Sequence, residues 1–415
     1  MAMIRPFSAI RPALDWAEDV AALPYDVYSR KEAWDEALRH PNSFLNIDRP
    51  ETQFKEDHDM YAADVYEKAS DMLEEWIQSG ILVREEKPCY YIYAQTMDGR
   101  TQAGLAACSS VDDYLNGVIR KHENTREEKE LDRIRHVDVT SMQTGPVFLA
   151  YRHDARMDAL TKEIMETAPL YDFTAEDGIR HTLWRVEDEA LIEEISWIFS
   201  GIPNTYIADG HHRAASAVKV ALKRRKEHPD YDGTQEFNYF LSVLFPEDQL
   251  KIFDYNRVMK DLNGLTEEAF LSRLSECFEV HEVSGAGVPY RPAKKGEFGL
   301  FLGETWYALR VKEALVPADP VGSLDVSILQ NLVLGPVLGI LDPKTDKRID
   351  FIGGIRGLGE LERRVHTDMA LAFSMYPTSL SELFAVADAG LLMPPKSTWF
   401  EPKLRSGLLI HEFER

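Results

Sequence analysis

The segment Thr205–Arg213 constrains the fold of this chain most strongly, because it combines a strand, a tight turn and the start of a helix. The apolar run Thr205–Ala208 predicts a buried strand. Asp209-Gly210 follows, and its glycine allows a tight turn and the close approach of a ligand. Alanines and valines then recur at helical spacing. The sequence therefore predicts a strand that turns sharply into a helix with polar side chains at its N-terminus.

Strands and helices alternate on both sides of the strand–turn–helix Thr205–Arg213, which is called the corner. The predicted elements are strand His181–Val186, helix Ala190–Phe199, strand Thr205–Ala208, helix His212–Lys226, and strands Tyr239–Phe245 and Leu250–Tyr255. Such alternation is typical of an α/β or α+β layered domain. A chain of 415 residues is long enough for two or three domains. We place the boundary after residue 255, with residues 1–255 as a core that carries inserted segments and residues 256–415 as a C-terminal α/β portion.

Local signals also order the first portion of the chain. Ser29 is a good helix N-cap, and Glu32 stands three residues further on, as in a capping box. Residues 89–112 alternate like a β-hairpin that turns at Asp98-Gly99. A capped helix and a β-hairpin are therefore predicted on the N-terminal side of the corner.

The loop Pro24–Val27 is predicted to be rigid and to present the carboxylate of Asp26. The alternative is an ordinary turn. Asn46 and Arg49 follow the next apolar pair, and we expect them to face the same cleft.

Charge and composition limit the classes of partner. Forty-seven basic and seventy acidic residues give a net charge of −23, which repels nucleic acids and anionic membranes. The basic run Lys223–Lys226 is predicted to be a solvated helix end. Three cysteines without paired spacing suit a reducing compartment, and neither a signal peptide nor a membrane span is evident. We therefore expect a cytoplasmic protein whose partners are small molecules; the sequence leaves a homo-oligomer open.

The residues Asp209–Arg213 carry the clearest chemical signal. The N–H groups of a first helical turn bind anions, aided by the helix dipole. Arg213 is suited to clamping phosphate oxygens, and a histidine adds a titratable donor. Asp209 is predicted to hold a metal-bound phosphate or to orient a hydroxyl. The alternative is a capped turn with two surface histidines.

Two further polar segments are candidates for the same site. Lys121–Thr125 is either a loop that contacts phosphate or metal, with Glu123 as a base, or a solvated loop before a charged helix. Lys396–Thr398 and Lys403 either donate to an anion or are exposed beside a stiff diproline. P-loop, dinucleotide-binding, serine-hydrolase and zinc-protease signatures are absent from the sequence.

At Tyr206–Ala214 the chain resembles the ParB/sulfiredoxin superfamily, and more closely a large bacterial family of that superfamily that has been catalogued without a function. The blocks that carry this resemblance are Pro24–Val27, Lys121–Thr125, Asp132-Arg133, Ala208–Arg213, Phe351–Gly354, Met393–Thr398 and Pro402-Lys403. The resemblance implies a ParB/sulfiredoxin-like core with a mixed sheet. His211 takes the place of the cysteine that sulfiredoxins need, so reduction of sulfinic acids is not expected.

Relatives with this kind of turn include ATP-dependent kinases of free L-serine. The resemblance therefore implies an ATP- and Mg²⁺-dependent phosphotransferase that makes O-phospho-L-serine. The alternative is a ParB-like nucleotide-binding switch without kinase activity. For the kinase, the expected catalytic residues are Asp26, Glu123, Asp209 and His211, with Asp209 also at the metal. The expected nucleotide-binding residues are Lys121, His122, Gly210, His211, His212, Arg213, Lys396, Ser397, Thr398 and Lys403.

Overall fold

The computed structural model describes residues 1–125, 127–283 and 288–414. Within these ranges the chain forms two compact units, one of Met1–Leu250 with Pro402–Arg415 and one of Lys251–Glu401. This division differs from the boundary drawn from the sequence, because residues 402–415 return to the first unit. The hydrogen bonds of the returning segment explain the difference: the N–H of Ile410 donates to Ile10, and the N–H of Ser406 donates to Ala22. Such long-range pairing leaves no periodic signal in the sequence.

The regular elements are numbered in chain order. The strands are β1 Ile4–Arg5, β2 Ile10–Pro12, β3 Leu82–Arg84, β4 Tyr90–Met97, β5 Arg100–Ser110, β6 Ile119–Arg120, β7 Met142–Gln143, β8 Val147–Tyr151, β9 Tyr171–Thr174, β10 Arg180–Val186, β11 Thr205–Asp209, β12 Tyr239–Pro246, β13 Ile252–Phe253, β14 Tyr255–Met259, β15 Phe278–Glu282, β16 Glu297–Leu302, β17 Thr305–Val311, β18 Ile349–Gly353, β19 Leu371–Met375, β20 Trp399–Phe400 and β21 His411–Glu412. The α-helices are α1 Ala17–Val20, α2 Arg30–Arg39, α3 Leu45–Asp48, α4 Ala63–Gln78, α5 Val111–Leu115, α6 Glu127–Thr140, α7 Ala155–Met165, α8 Glu189–Phe199, α9 His211–Glu227, α10 Glu267–Cys277, α11 Asp325–Leu329, α12 Gly359–Thr367 and α13 Leu380–Asp388.

The first unit is organised around a mixed sheet with the strand order β6-β11-β8-β12-β5-β4-β10-β9, in which β1 also pairs with β5. β11 runs parallel to β6, and β12 runs parallel to β8, whereas the other neighbours are antiparallel. The predicted mixed α/β class is therefore confirmed. β11 lies one strand from the edge, so the chain leaves the sheet for α9 where only the short strand β6 covers its outer side.

Local sequence signals account for several of these elements. The Ser29 hydroxyl accepts from the N–H of Glu32 at 3.3 Å, and the Glu32 carboxylate accepts from the N–H of Ser29 at 2.8 Å. This is the predicted capping box. At the hairpin turn, Asp98 and Gly99 have φ angles of 51° and 76°, as a tight hairpin turn requires. Both predictions are confirmed because each depends only on neighbouring residues.

The second unit contains a six-stranded antiparallel sheet in the order β15-β17-β16-β19-β14-β18. The prediction of one strand over Leu250–Tyr255 is wrong here. β13 pairs with β20, and β14 begins two residues after β13 ends. The residue between them, Asp254, accepts hydrogen bonds from the N–H of Gly354 at 2.7 Å and from the Asn256 amide at 2.6 Å. These bonds divert the chain from one sheet to the other.

The length and polarity of the helices indicate whether any of them is able to span a membrane. Among the described residues, no helix combines the length and the apolar character that a crossing of the bilayer requires.

Gly407 is predicted to be required for the packing of the C-terminal segment 402–414 against the rest of the first unit. Its φ is 83°, and a Cβ there would lie 2.5 Å from Cγ of the buried Phe44. Gly178 has a similar φ of 78°, but no described atom lies within 4 Å of its Cβ position. We expect Gly178→Ala to destabilise the protein by about 1 kcal/mol through backbone strain. Gly407→Ala should lose about 1–3 kcal/mol more through overpacking. Thermal and urea unfolding measure the difference, and equal losses would contradict the steric argument.

Candidate anion-binding and catalytic site

The site is built where β11 passes into α9. Gly210 makes the turn with φ at 94°, a conformation that residues with a side chain rarely adopt. The pairing of β11 with β8 shifts register between Ile207 and Asp209, and such a bulge re-aims the side chains that follow it. Gly210 offers no side-chain cap to this 17-residue helix. The first helical turn and the positive end of the helix dipole are thus the candidate site for an anion.

Asp209 lies between two cations. Its Oδ2 atom is 3.2 Å from Nη2 of Arg213 and 3.5 Å from Nζ of Lys403. Burial by itself would raise the pKa of Asp209, but Lys403 and Arg213 outweigh it and hold the pKa well below its usual range. Asp209 is therefore ionised, and it neutralises part of the positive charge at the corner.

Arg213 lies beneath the turn. Its Nη1 donates to the carbonyl of Pro146, and its Nη2 donates to Asp209. A Cβ at Gly210 would lie 3.1 Å from Cζ of Arg213, so the glycine also makes room for the guanidinium. The sequence predicts a phosphate clamp, yet these two groups donate to protein acceptors. Each of these two nitrogens carries a second N–H, so contact with phosphate would not require Arg213 to release Asp209.

His122 and His211 form a buried pair in which the ring planes meet at 90° and the centroids are 4.5 Å apart. Burial lowers the pKa of His122 to about 4, although the Ile207 carbonyl and Asp209 act in the opposite direction. Burial and the neighbouring His122 also lower the pKa of His211 well below its ordinary value. Among the described residues, Nε2 of His211 has no hydrogen-bond partner. Both imidazoles are therefore neutral near pH 7, and His211 retains an unused polar atom.

The segment Lys121–Thr125 thus reaches the corner through His122. Lys121 is exposed, and its Nζ lies 4.6 Å from the ring centroid of Tyr114. Glu123 is half-buried. The hydroxyl of Thr125 donates to Glu130 at 2.5 Å, which ties the loop to α6. The structure therefore brings His122 to the turn, and the roles predicted for Lys121 and Glu123 stay predictions.

Asp26 is also brought towards the corner. It lies in a short 3₁₀ helix, Tyr25–Val27, and its side chain is exposed. Burial alone would lower the pKa of Arg213, but the negative groups around it, Asp209 and Asp26 first, raise it above its ordinary value. Tyr25, the residue before Asp26, lines the same pocket as Arg213, so the turn that carries Asp26 borders the corner. An exposed carboxylate therefore stands close to the proposed anion site.

A pocket of about 450 Å³ extends beside Arg213. Charged and hydroxyl groups line part of it: Tyr25, Asp48, Arg133, Thr144, Ser216 and Ser406. The Asp48 carboxylate accepts from the Thr144 hydroxyl at 2.7 Å, and its carbonyl accepts from Arg133 at 3.2 Å. Sequence reasoning missed Asp48, Thr144 and Ser216. The only signal for these three residues in the sequence was that each is a polar residue on an otherwise apolar face.

The C-terminal candidates are divided between the two units. Lys403 belongs to the first unit, where its carbonyl accepts from the Gln95 amide at 2.8 Å. Lys396–Thr398 belongs to the second unit. There the carbonyl of Lys396 accepts from Arg257 at 2.9 Å, and the Ser397 hydroxyl donates to Pro394 at 2.6 Å. The assignment of Lys396, Ser397 and Thr398 to a nucleotide stays a prediction.

A metal ion would depend on ligands from a bound substrate. Within the described residues, no group of three or more His, Cys, Asp or Glu side chains is arranged to hold a metal. Asp209 was the predicted metal ligand, and two cations already accompany its carboxylate. Mg²⁺ commonly takes one or two carboxylates together with substrate phosphates. Asp209 therefore fits Mg²⁺ only if phosphate oxygens complete the coordination and draw its cations away.

The corner and its surroundings define a mixed α/β protein with a candidate anion site at a strand–turn–helix. The family described as "Protein of unknown function (DUF1015)" matches residues 4–327. The chain belongs to this family. This confirms the predicted membership of a family without an assigned function, and Lys403 lies beyond the matched residues. No curated protein matches the chain.

Solved structures are similar to this chain at low sequence identity. A mutant of a free serine kinase in complex with AMP is 17% identical with a TM-score of 0.39, and the match covers 75% of this chain and 92% of that chain. The same kinase with ADP is 16% identical with a TM-score of 0.37, covering 76% and 93%. A conserved hypothetical protein from Pyrococcus furiosus is 17% identical with a TM-score of 0.34, covering 73% and 93%. These values are too low to support a functional argument.

The imidazole of His122 should stay neutral down to about pH 4, its pKa in the folded protein. The unfolded chain takes up this proton near pH 6.5, so the contribution of His122 to stability is present above pH 6.5 and is lost as the pH falls towards 4. NMR titration of the His122 ring should show flat chemical shifts from pH 7.5 to 5.5, a range set by the ordinary histidine pKa of about 6.5. A midpoint near 6.5 would show that the ring is not buried as described.

Proposed function

We propose that the first unit is an ATP-dependent kinase that phosphorylates a small hydroxyl acceptor, with free L-serine as the expected acceptor and O-phospho-L-serine as the product. The observation that carries the proposal is the uncapped N-terminus of α9, with Lys403 beside it. Phosphoryl transfer depends mainly on positioning and on stabilising charge. The identity of the acceptor rests on the resemblance of the Asp209–Arg213 turn to kinases of free L-serine.

The nucleotide phosphates would lie at the first turn of α9. Backbone N–H groups would bind their oxygens, and His211 has an unused Nε2 nearby. Lys403 would move its ammonium group from Asp209 to phosphate, because its contact with Asp209 is long at 3.5 Å. His212 and Lys121 would add donors at the rim. Lys396, Ser397 and Thr398 belong to the second unit, and their role at a nucleotide stays a prediction.

Asp26 is proposed as the general base. Its carboxylate would accept the proton of the acceptor hydroxyl while the oxygen attacks the γ-phosphorus. The bond from that phosphorus to the bridging oxygen would break, and ADP would carry the negative charge away. Lys403 and the helix N-terminus would stabilise the charge that develops on the phosphoryl oxygens. Mg²⁺ bound to the nucleotide would neutralise phosphate charge. Glu123 is the alternative base.

Asp26→Asn should abolish most of the transfer. Loss of a general base lowers kcat by about 10²- to 10⁴-fold, whereas affinity for ADP should remain. Asp15→Asn is the matched control, since Asp15 is also exposed and lies in another 3₁₀ helix of the same unit, Leu14–Trp16. The assay combines ATP, magnesium and a panel of amino acids, with phosphorus NMR as the readout.

The panel also decides between the proposals. Absence of any phosphorylated acceptor would reject the kinase. Equal activity of Asp26→Asn and Asp15→Asn would show that Asp26 is not the general base and would favour Glu123 instead. Preference for CTP together with retention of DNA would favour the nucleotide-binding switch.

Lys403→Met should weaken ADP binding by about 10- to 100-fold, because a charge-assisted hydrogen bond contributes about 1.5–3 kcal/mol. Lys226→Met removes the same charge from the exposed C-terminal end of α9 and should leave binding unchanged. Isothermal titration calorimetry measures both. If the two variants bind ADP equally well, Lys403 is only a partner of Asp209.

A further inference from the structure

Arg49 donates hydrogen bonds to the backbone of the turn Tyr25–Tyr28, which carries Asp26. Its Nη1 donates to the carbonyl of Tyr25 and to the carbonyl of Tyr28, both at 3.0 Å. These two carbonyls lie on either side of Asp26 and Val27 in the chain. A single nitrogen atom therefore holds both ends of the segment that presents the proposed base.

The guanidinium is itself fixed in place. Its Nε donates to the Glu51 carboxylate at 2.6 Å, and Arg49 and Glu51 are only 8% and 4% exposed. The hydroxyl of Thr52 donates to the carbonyl of Arg49 at 2.7 Å. The sequence suggested that Arg49 faces a cleft, and this prediction is wrong. Arg49 supports the Tyr25–Tyr28 turn from the protein interior.

A second cation restrains the same turn from another side. The Arg133 guanidinium lies 4.1 Å from the ring centroid of Tyr25, close enough for a cation–π contact. Within the turn, the N–H of Val27 donates to Pro24 at 3.1 Å. Asp26 and Val27 are the two exposed residues of this segment. The backbone is held while the carboxylate is left available.

We propose that Arg49 is a positioning residue for Asp26. The proposal rests on the proposed function, since it assigns to Arg49 the placement of the base relative to the acceptor hydroxyl. A buried ion pair contributes little net stability, whereas a misplacement of about 1 Å lowers catalysis by about 10²-fold. Arg49 therefore acts through the geometry of the turn.

The test compares Arg49→Lys, Arg49→Met and Asp26→Asn, alone and combined. A lysine retains one nitrogen that donates to both carbonyls but loses the bond from Nε to Glu51. We expect kcat to fall about 10-fold in Arg49→Lys and about 100-fold in Arg49→Met, with less than about 2-fold change in affinity for ADP. In the Asp26→Asn background, Arg49→Met should cause no further loss, because residues that act as a unit are not additive.

Arg224→Met is the matched control. Arg224 is 6% exposed, pairs with Asp138 and Glu227, and donates to the carbonyl of Asp138 at 3.0 Å. It should lower the melting temperature about as much as Arg49→Met and leave kcat unchanged.

Three results would overturn the proposal. An additive loss in the double variant would show that Arg49 does not act through Asp26. A fall in kcat in Arg224→Met equal to that in Arg49→Met would show a merely structural role. A wild-type protein without kinase activity would reject the proposed function. In that case, faster hydrogen exchange at the Val27 N–H in Arg49→Met would show that Arg49 stabilises the turn and has no role in catalysis.

Discussion

The half-buried carboxylate of Asp209 is the constraint on which the arrangement of the site depends. It ends β11, accepts from Arg213 on α9 and pairs with Lys403 on the returning C-terminal segment. Three segments that are distant in the sequence are thereby joined at one atom, Oδ2. Removal of either cation would leave a half-buried charge less compensated, which is unfavourable. The position of the turn is therefore coupled to the seating of the C-terminal segment.

At the corner, Asp209 pairs with two cations, Arg213 and Lys403, in a protein whose net charge is −23. Long-range repulsion of anions and local attraction are compatible because charge interactions are screened over about 10 Å at 0.1 M salt. A small anion that enters the corner meets the helix dipole and Lys403. An extended polyanion would also meet the acidic surface. The distribution of charge is thus compatible with the small phosphate-bearing ligand that we propose.

The Tyr25 turn and the Asp209 corner are supported by a shared set of arginines. Arg49 holds the backbone of the turn, Arg133 lies over Tyr25, and Arg213 holds Asp209 while Asp26 acts on it electrostatically. Each guanidinium donates to carbonyls or carboxylates in a fixed planar pattern, which a lysine does not reproduce. The preorganisation of the two segments therefore has a common basis, and the Asp26 carboxylate is left exposed.

Sequence alone determined the features that depend on neighbouring residues: the Ser29 capping box, the Asp98-Gly99 hairpin, and the strand–turn–helix at Gly210. Propensity, capping and backbone sterics act over a few residues, so they can be read from the chain. Tertiary structure decided the rest. It directed Arg213 to Asp209 and Pro146, made His122 and His211 neutral, turned Arg49 inward and placed Lys403, but not Lys396, in the unit of Asp209. Hydrogen-bond partners and burial arise from segments far apart in the sequence, and no local pattern specifies them.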